Sequence, residues 1–238
     1  MCEWGEKMNQ FSRFELLIGE KIDKIKNLTV LVVGLGGVGS YATEALCRSG
    51  VGRLILIDHD TIDITNLNRQ LMALHSNIGR AKVEVWKERI KDINPECEVV
   101  GMQEFLTSET VEDLLFPYGI DYIVDACDTV DAKLALIEYA QTHHIKLISC
   151  MGTGNKLNAT KVEIMELKRT QNDPLARVMR KKIRERGLSD DVVVVCSKEL
   201  PRPNETKVIG STAFVPSVAG LYCASYVVND RLSCEENI

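Results

Sequence analysis

TVLVVGLGGVGS, residues 29–40, is the stretch that sets the fold. Thr29–Val33 is a short run rich in β-branched residues and reads as a buried strand. Glycines at 34, 36, 37 and 39 follow at once, and Tyr41–Arg48 then carries a helical pattern. Glycine in these positions lets the main chain approach a phosphate closely. The start of the helix offers unpaired N–H groups and the positive end of its dipole. The plainer alternative is a glycine turn that only packs helix on strand. Asp58, which closes a second apolar run at Leu54–Ile57, supplies a carboxylate where the ribose hydroxyls of a bound nucleotide would lie.

Outward from this unit, Phe11–Lys26 has a loose helical pattern built on Phe14, Leu16, Leu17, Ile22 and Ile25. Downstream lie a polar loop, Asp60–Arg69, and a helix near Ala81–Ile93 that Asn94-Pro95 stops. Val99–Met102, Tyr122–Val124 and Lys146–Ser149 read as strands, with a helix over Ala132–His143. Strands alternating with helices at this spacing specify an α/β fold. Its form is Rossmann-like: a doubly wound, mostly parallel sheet with helices on both faces. Beyond residue 150 the style changes. Val162–Leu167 and Val192–Cys196 read as strands around a basic helix at 174–186, and Lys198–Lys207 as a polar loop. The chain reads as a single domain over 1–238, a nucleotide-binding core at 11–150 followed by a C-terminal elaboration at 151–238.

Composition bounds the function. The 238 residues are 45% hydrophobic and 26% charged, ordinary for one globular unit, and a net charge of -5 argues against a protein that coats nucleic acid non-specifically. Eight cysteines are scattered without a CxxC pair, and MCEWGEKMNQ has no apolar leader. Free thiols in a reducing, cytoplasmic setting fit better than a disulfide framework. Ala213–Val228 is broken by Pro216, Ser217, Gly220 and Ser225 and reads as a buried helix. Membrane association of the C-terminal third stands as the alternative.

Several side chains point to chemistry on a triphosphate. Asn66, Arg69 and the helical Lys82 could converge beyond the glycine turn, where two fixed cations would stabilise charge developing on an attacked α-phosphorus. Taken singly, Arg69 reads better as a surface salt bridge and Lys82 as a solvated helix lysine. In DACDTVDAK, Asp128 could hold Mg²⁺ on a departing pyrophosphate, the alternative being a helix N-cap, and Asp131 reads as such a cap. Asp173, Pro174 and Gly187 have the character of the cap, first position and stop of the basic helix. Leu175, Val178, Met179 and Ile183 share one face of it. Arg177, Arg180, Lys181, Arg184 and Arg186 occupy much of the rest and suit a nucleic-acid backbone, the alternative being a solvated surface. Cys127, Cys150 and Cys196 could lie near the site, but buried structural cysteine is the better reading. His59, His75, His143 and His144 show no metal spacing.

VVGLGGVGS, DHDTIDITNLNRQ, the downstream Lys82 and DACDTVDAK, in this order, resemble the ubiquitin-activating-enzyme superfamily. Its bacterial, ThiF-type members include the adenylyltransferases of thiamine and molybdopterin biosynthesis. The resemblance implies that Gly34, Gly36, Gly37, Gly39, Asp58, Asp60, Asn66, Arg69, Lys82 and Asp128 bind ATP, with Asp128 on Mg²⁺. It also implies a homodimer in which Arg13, in FSRFELLIG, reaches the partner's ATP and joins Arg69, Lys82 and Asp128 in catalysis. The missing CxxC pairs depart from the zinc-bearing sulfur-carrier branch, so no zinc is expected. MGTGNKLNATK (151–161), DPLARVMRKKIRERG (173–187), VVVVCSKELPRP (192–203) and GSTAFVPSVAGL (210–221) resemble the tRNA threonylcarbamoyladenosine dehydratases. That family cyclises the threonylcarbamoyl group on an adenosine of tRNA, consuming ATP and formally losing water. A bound monovalent cation and a sulfur-transfer partner are left open. Two other readings compete: adenylation of the C-terminus of a ubiquitin-like sulfur carrier, and an NAD-dependent oxidoreductase or nucleotide-sensing module.

Overall fold

In the computed structural model, which describes residues 8–203 and 208–233, the chain builds one seven-stranded sheet. Cys2, Cys234, most of the MCEWGEKMNQ segment and the 204–207 part of the polar loop lie outside the described residues. The first half runs α1 (Ser12–Ile18), α2 (Ile22–Lys26), β1 (Thr29–Val33), α3 (Gly39–Arg48), β2 (Arg53–Ile57), α4 (Lys82–Ile93) and β3 (Glu98–Met102). The second runs α5 (Val111–Leu115), β4 (Tyr122–Asp125), α6 (Val130–Thr142), β5 (Lys146–Cys150), β6 (Val162–Glu166), α7 (Pro174–Glu185), β7 (Val193–Ser197) and α8 (Val215–Ser233). The strands lie in the order β3-β2-β1-β4-β5-β7-β6, parallel throughout except for the edge strand β6, which pairs antiparallel with β7.

The doubly wound α/β fold read from the sequence is the one observed, and the strand residues show why. Successive side chains point to opposite faces, so Val30 and Val32 enter one core while Leu31 and Val33 enter the other. Both faces of β1 must therefore be covered, which a continuous apolar run already demands. Residues of α3, α4 and α8 cover the first face, and those of α5 and α6 the second. Register aligns Val33 with Ile57 on one side and with Asp125 on the other. The loops after β1, β2 and β4 consequently start from one edge of the sheet, beside the crevice where the order reverses.

Three local readings change. The predicted Phe11–Lys26 helix is two helices, because Gly19 takes φ 61° and ψ -144° between them. α5 was not foreseen; its five residues are too few to show a period. Val178 is 41% exposed, so the buried stripe of α7 is Ala176, Met179 and Ile183, at the i, i+3, i+7 spacing of a helix face. One face of α8 is buried from Val215 to Val228, and no helix among the described residues is long and apolar enough to cross a membrane.

α8 is pressed on α3 by a close approach at Gly220: a Cβ there would stand 2.1 Å from the carbonyl oxygen of Val38. Gly220→Ala is therefore expected to lower stability by about 1–3 kcal/mol in a denaturant titration. Gly119→Ala, whose Cβ would meet nothing within 4 Å, serves as the silent control.

α3 and α4 are joined by Glu44, which accepts Arg89 Nε at 2.7 Å and Nη2 at 2.9 Å, and Arg48 Nε at 2.7 Å. Burial alone would raise the Glu44 carboxyl, but the two arginines outweigh it and hold it below its ordinary value. A depressed carboxylate contributes stability above its unfolded pKa and loses it as pH falls through the folded one. Glu44→Gln is expected to be less stable than the parent at pH 7, the gap closing below about pH 4. A gap constant with pH would show that the charge is not what matters.

Candidate functional site

A cleft of about 630 Å³ opens along the C-terminal ends of the strands. At one end Asp58, just past β2, is nearly buried: Oδ2 accepts the Leu35 N–H at 2.6 Å and Oδ1 the Asp60 N–H at 2.8 Å. Backbone donors from the glycine turn and from its own loop thus hold this carboxylate at the cleft wall. The glycines differ in what they permit. Gly34 has φ 86°, and a Cβ there would fall 2.7 Å from Ala126 O; one on Gly39 would fall 1.7 Å from Gly34 O. Gly36 is different. Its Cβ would meet only Gln70 Nε2, at 3.8 Å, so the protein's own packing leaves that face of the turn open, as a cradle for a ligand requires.

The cations gather as the spacing suggested. Lys82 begins α4 and is 3% exposed, not a solvated helix lysine; its Nζ stands 2.6 Å from Asp60 Oδ2 and 3.5 Å from Asp58 Oδ2. Arg69 lines the same cleft, and its Nη1 donates to Thr65 O at 2.8 Å and to Asn68 Oδ1 at 3.0 Å. Those partners are neutral, and no carboxylate among the described residues forms a salt bridge with it. Asn66 Oδ1 accepts the Asp63 N–H at 3.1 Å, closing a reciprocal cap that shapes the loop carrying Arg69.

Asp128, just past β4, is exposed, lines the cleft and makes no ion pair or hydrogen bond among the described residues. A carboxylate without such partners in the cleft that these cations also line has the donor chemistry that Mg²⁺ takes alongside phosphate oxygens. Ligand atoms of Asp58, His59 and Asp60 also cluster within 4.8 Å, but the Lys82 ammonium already supplies the positive charge there. Asp131 is not the helix cap expected of it: Thr129 holds that position, and Asp131 accepts the Ser108 N–H at 3.3 Å from the first turn. Arg13 is exposed on α1 and is not among the residues that line the cleft.

Beneath the cleft lies a buried network that the sequence did not disclose. Lys133 Nζ sits 3.1 Å from both oxygens of Asp125, 3.3 Å from Ser149 Oγ and 2.7 Å from Cys150 O, with Lys133 and Asp125 wholly enclosed. Burial alone would lower the Lys133 ammonium, but Asp125 outweighs it and keeps it charged. Cys127 Sγ donates to Asp125 Oδ1 at 2.9 Å, and burial together with that carboxylate pushes its thiol well above the ordinary value. Cys196 is pushed up to about 12, chiefly by burial. Both are therefore poor thiolate nucleophiles. Gln70, last residue of DHDTIDITNLNRQ, was also passed over; it is 6% exposed in the cleft wall, its Oε1 buried without a donor.

At the far end, Lys156 Nζ donates to Asp173 Oδ2 at 2.7 Å, Gly152 O at 2.8 Å and Ser197 O at 3.3 Å. Asp173 Oδ1 accepts the Ala176 N–H at 2.8 Å and so caps α7, as the sequence predicted. The cations of α7 divide. Arg180 is tied to Thr170, through its carbonyl oxygen at 3.0 Å and its hydroxyl, and Arg186 to Glu138 at 3.1 Å and Asp131 at 3.7 Å. Arg177, Lys181 and Arg184 face solvent, Lys181 only 3.6 Å from Glu185.

The profile of the ThiF family matches residues 9–232. Over 243 residues the chain is 47% identical to the tRNA threonylcarbamoyladenosine dehydratase of Bacillus subtilis, covering 94% of this chain and 95% of that protein. The protein of the same name from Escherichia coli is 42% identical over 196 residues, 82% of this chain and 70% of that one. A crystal structure of E. coli tRNA N6-threonylcarbamoyladenosine dehydratase in complex with ATP matches with a TM-score of 0.88 at 34% identity, covering 94% of each chain.

The buried pair sets a stability test. Lys133→Met strands Asp125 without a counter-charge and is expected to lower unfolding free energy by about 3–5 kcal/mol, part of it recovered in the Asp125→Asn/Lys133→Met double variant. A loss below about 1 kcal/mol would mean that the pair does not hold the cleft floor.

Proposed function

The chain belongs to the ThiF family, and from that premise we propose that it is an ATP-dependent tRNA threonylcarbamoyladenosine dehydratase. The observation that carries the proposal is convergence: Gly36, Asp58, Arg69, Lys82 and Asp128, from well-separated stretches of chain, line one cleft whose far wall comes from residues beyond 150. ATP lies with its ribose at Asp58 and its phosphates along the glycine turn. There the N-terminus of α3, Lys82 and the uncompensated Arg69 draw charge from the α-phosphorus. Asp60 and Asn66 shape this wall, the first by orienting Lys82 and the second by capping the Arg69 loop. Asp128 would hold Mg²⁺, which when bound neutralises charge on the departing pyrophosphate.

The threonyl carboxylate of the modified adenosine attacks the α-phosphorus. The bond to the β-phosphate breaks, and an acyl-adenylate and pyrophosphate result. The ureido group of the same molecule then attacks the activated carbonyl and expels AMP. A nucleophile already tethered beside its target has a high effective concentration, so the chain need supply none. The thiol of Cys127, held protonated in the cleft wall, is consistent with that economy. Neither a sulfur-transfer partner nor a monovalent cation is needed for these steps.

Arg177, Lys181 and Arg184 are the cations of α7 that meet the tRNA backbone, whereas Arg180 and Arg186 hold the helix in place. Pro174 and Leu175 at its start line the cleft, so this surface leads directly to the reacting centre. Arg13 acts, on this proposal, in a homodimer, reaching the cleft of the other copy. Unpaired buried cysteines suit a cytoplasmic setting.

With ATP, Mg²⁺ and tRNA carrying threonylcarbamoyladenosine, the protein is expected to remove one water from that nucleoside, as read by mass spectrometry, only when ATP is present. Arg69→Ala and Lys82→Ala should each lower kcat/KM by about 100-fold or more. An unchanged nucleoside mass would defeat the substrate assignment. Tight NAD binding indifferent to both substitutions would defeat the ATP site as well.

A further inference from the structure

The cleft is longer than the nucleotide end described so far. Gly34, Asp58 and the Glu104–Leu106 segment rise from the ends of β1, β2 and β3, while Met151–Lys156 follows β5 and Asp173–Leu175 opens α7. In the sheet β3 and β5 are separated by four strand steps, roughly 19 Å at about 4.8 Å each. Asp128, after β4, stands between the two halves.

The halves differ in chemistry. The first carries Asp58, Asp60, Arg69 and Lys82; the second is walled by Met151, Leu175, Pro201 and Ile209, with Lys156 and Asp173 neutralising one another. An apolar wall beside a cancelled charge pair suits a flat, neutral ring system rather than more phosphate. The wall is also fixed in advance. Asn155 N–H donates to Gly210 O at 2.8 Å, and Gly210 N–H returns a bond to Asn155 Oδ1 at 2.7 Å. Asn68 Nδ2 holds the next carbonyl, of Ser211, at 3.2 Å. Ile209 is thereby set against Gly154, where a Cβ would fall 2.2 Å from its Cγ2, yet it remains 69% exposed. Such a large apolar side chain, pinned by its neighbours and left uncovered beside a cleft, is placed to contact a ligand.

We infer that this second half is the binding site of the modified purine nucleoside itself, its base lying against Ile209 and Leu175. The inference rests on the dehydratase proposal and deepens it. A nucleoside there has its threonyl carboxylate directed to the middle of the cleft, where Arg69 and Asp128 face the α-phosphate. Its flanking backbone leaves past Pro174, alongside the solvent-facing cations of α7. The Lys156–Asp173 pair acts as a positioning device, fixing the Gly152–Lys156 wall to the α7 cap.

The test uses the full-length protein with Ile209→Glu and Leu175→Trp, the first an exposed position that a substitution should not unfold, the second a bulkier ring that fills the site. Three quantities are read: ATP affinity by calorimetry, affinity for free threonylcarbamoyladenosine nucleoside, and KM for the modified tRNA. Both variants are expected to weaken nucleoside binding and raise KM for tRNA by about tenfold or more, with ATP affinity kept within roughly twofold. Wild-type nucleoside binding and KM in Ile209→Glu, with turnover intact, would overturn the inference while leaving the dehydratase proposal standing. A parallel loss of ATP affinity would overturn it too, since the two halves would not be separate. Absence of turnover by the parent protein would remove the dehydratase proposal and this inference with it.

Discussion

Everything at the cleft depends on how tightly the glycine turn closes on itself. Gly34 lies against Ala126 at the end of β4, and Gly39 lies against the carbonyl of Gly34, each too close for a side chain. These two contacts bring β1, β4 and the start of α3 to one point. The free N–H groups of the helix therefore open on the crevice rather than into the core. Asp58 then finds the Leu35 N–H at 2.6 Å, and the second loop is drawn to the first. A single added methyl group at either glycine would separate the sheet edge from the helix end, and the cations beyond would lose their common target.

Around that point charge is graded by burial. Asp125 and Lys133 lie sealed beneath the floor and balance one another's charge; Lys156 and Asp173 do the same at the far wall. Lys82 is buried but shared between two carboxylates, one of them half exposed. Arg69 alone of the cleft cations rests on neutral oxygens. Pairs at the back thus give rigidity, and the Arg69 guanidinium stands at the front with no carboxylate against it among the described residues. Such an arrangement is arranged before the ligand comes, so little reorganisation accompanies reaction.

Much of this was legible in the chain. β1, the glycine turn, Asp58 and the cap of α7 follow from local rules, because strand burial, close backbone approach and capping are determined within a few residues. Asn66, Arg69 and Lys82 could be grouped by resemblance, and the fold places them on one cleft. What escaped reading was non-local. Lys133 looks like any helix lysine until β4 and β5 supply Asp125, Ser149 and the Cys150 carbonyl around it. Lys156 lies in a loop, and its partner Asp173 is brought to it only by the packing of α7. Arg180 and Arg186 counted as free cations in a run of charges, but Thr170 and Glu138, from other segments, engage them. Val178 was placed on the apolar face by type, whereas the observed helix phase turns it to solvent.

The seating of α8 bears on how the molecule matures during synthesis. Pro216 stands against Gly37, so close that a Cβ on that glycine would fall 3.1 Å from it, and Gly220 meets the backbone at the entry to α3. A nascent chain emerging from the ribosome has produced all seven strands before these residues appear. Its glycine turn then lacks the contacts that α8 supplies. The glycine turn, among the first elements made, is consequently one whose packing partner is made last.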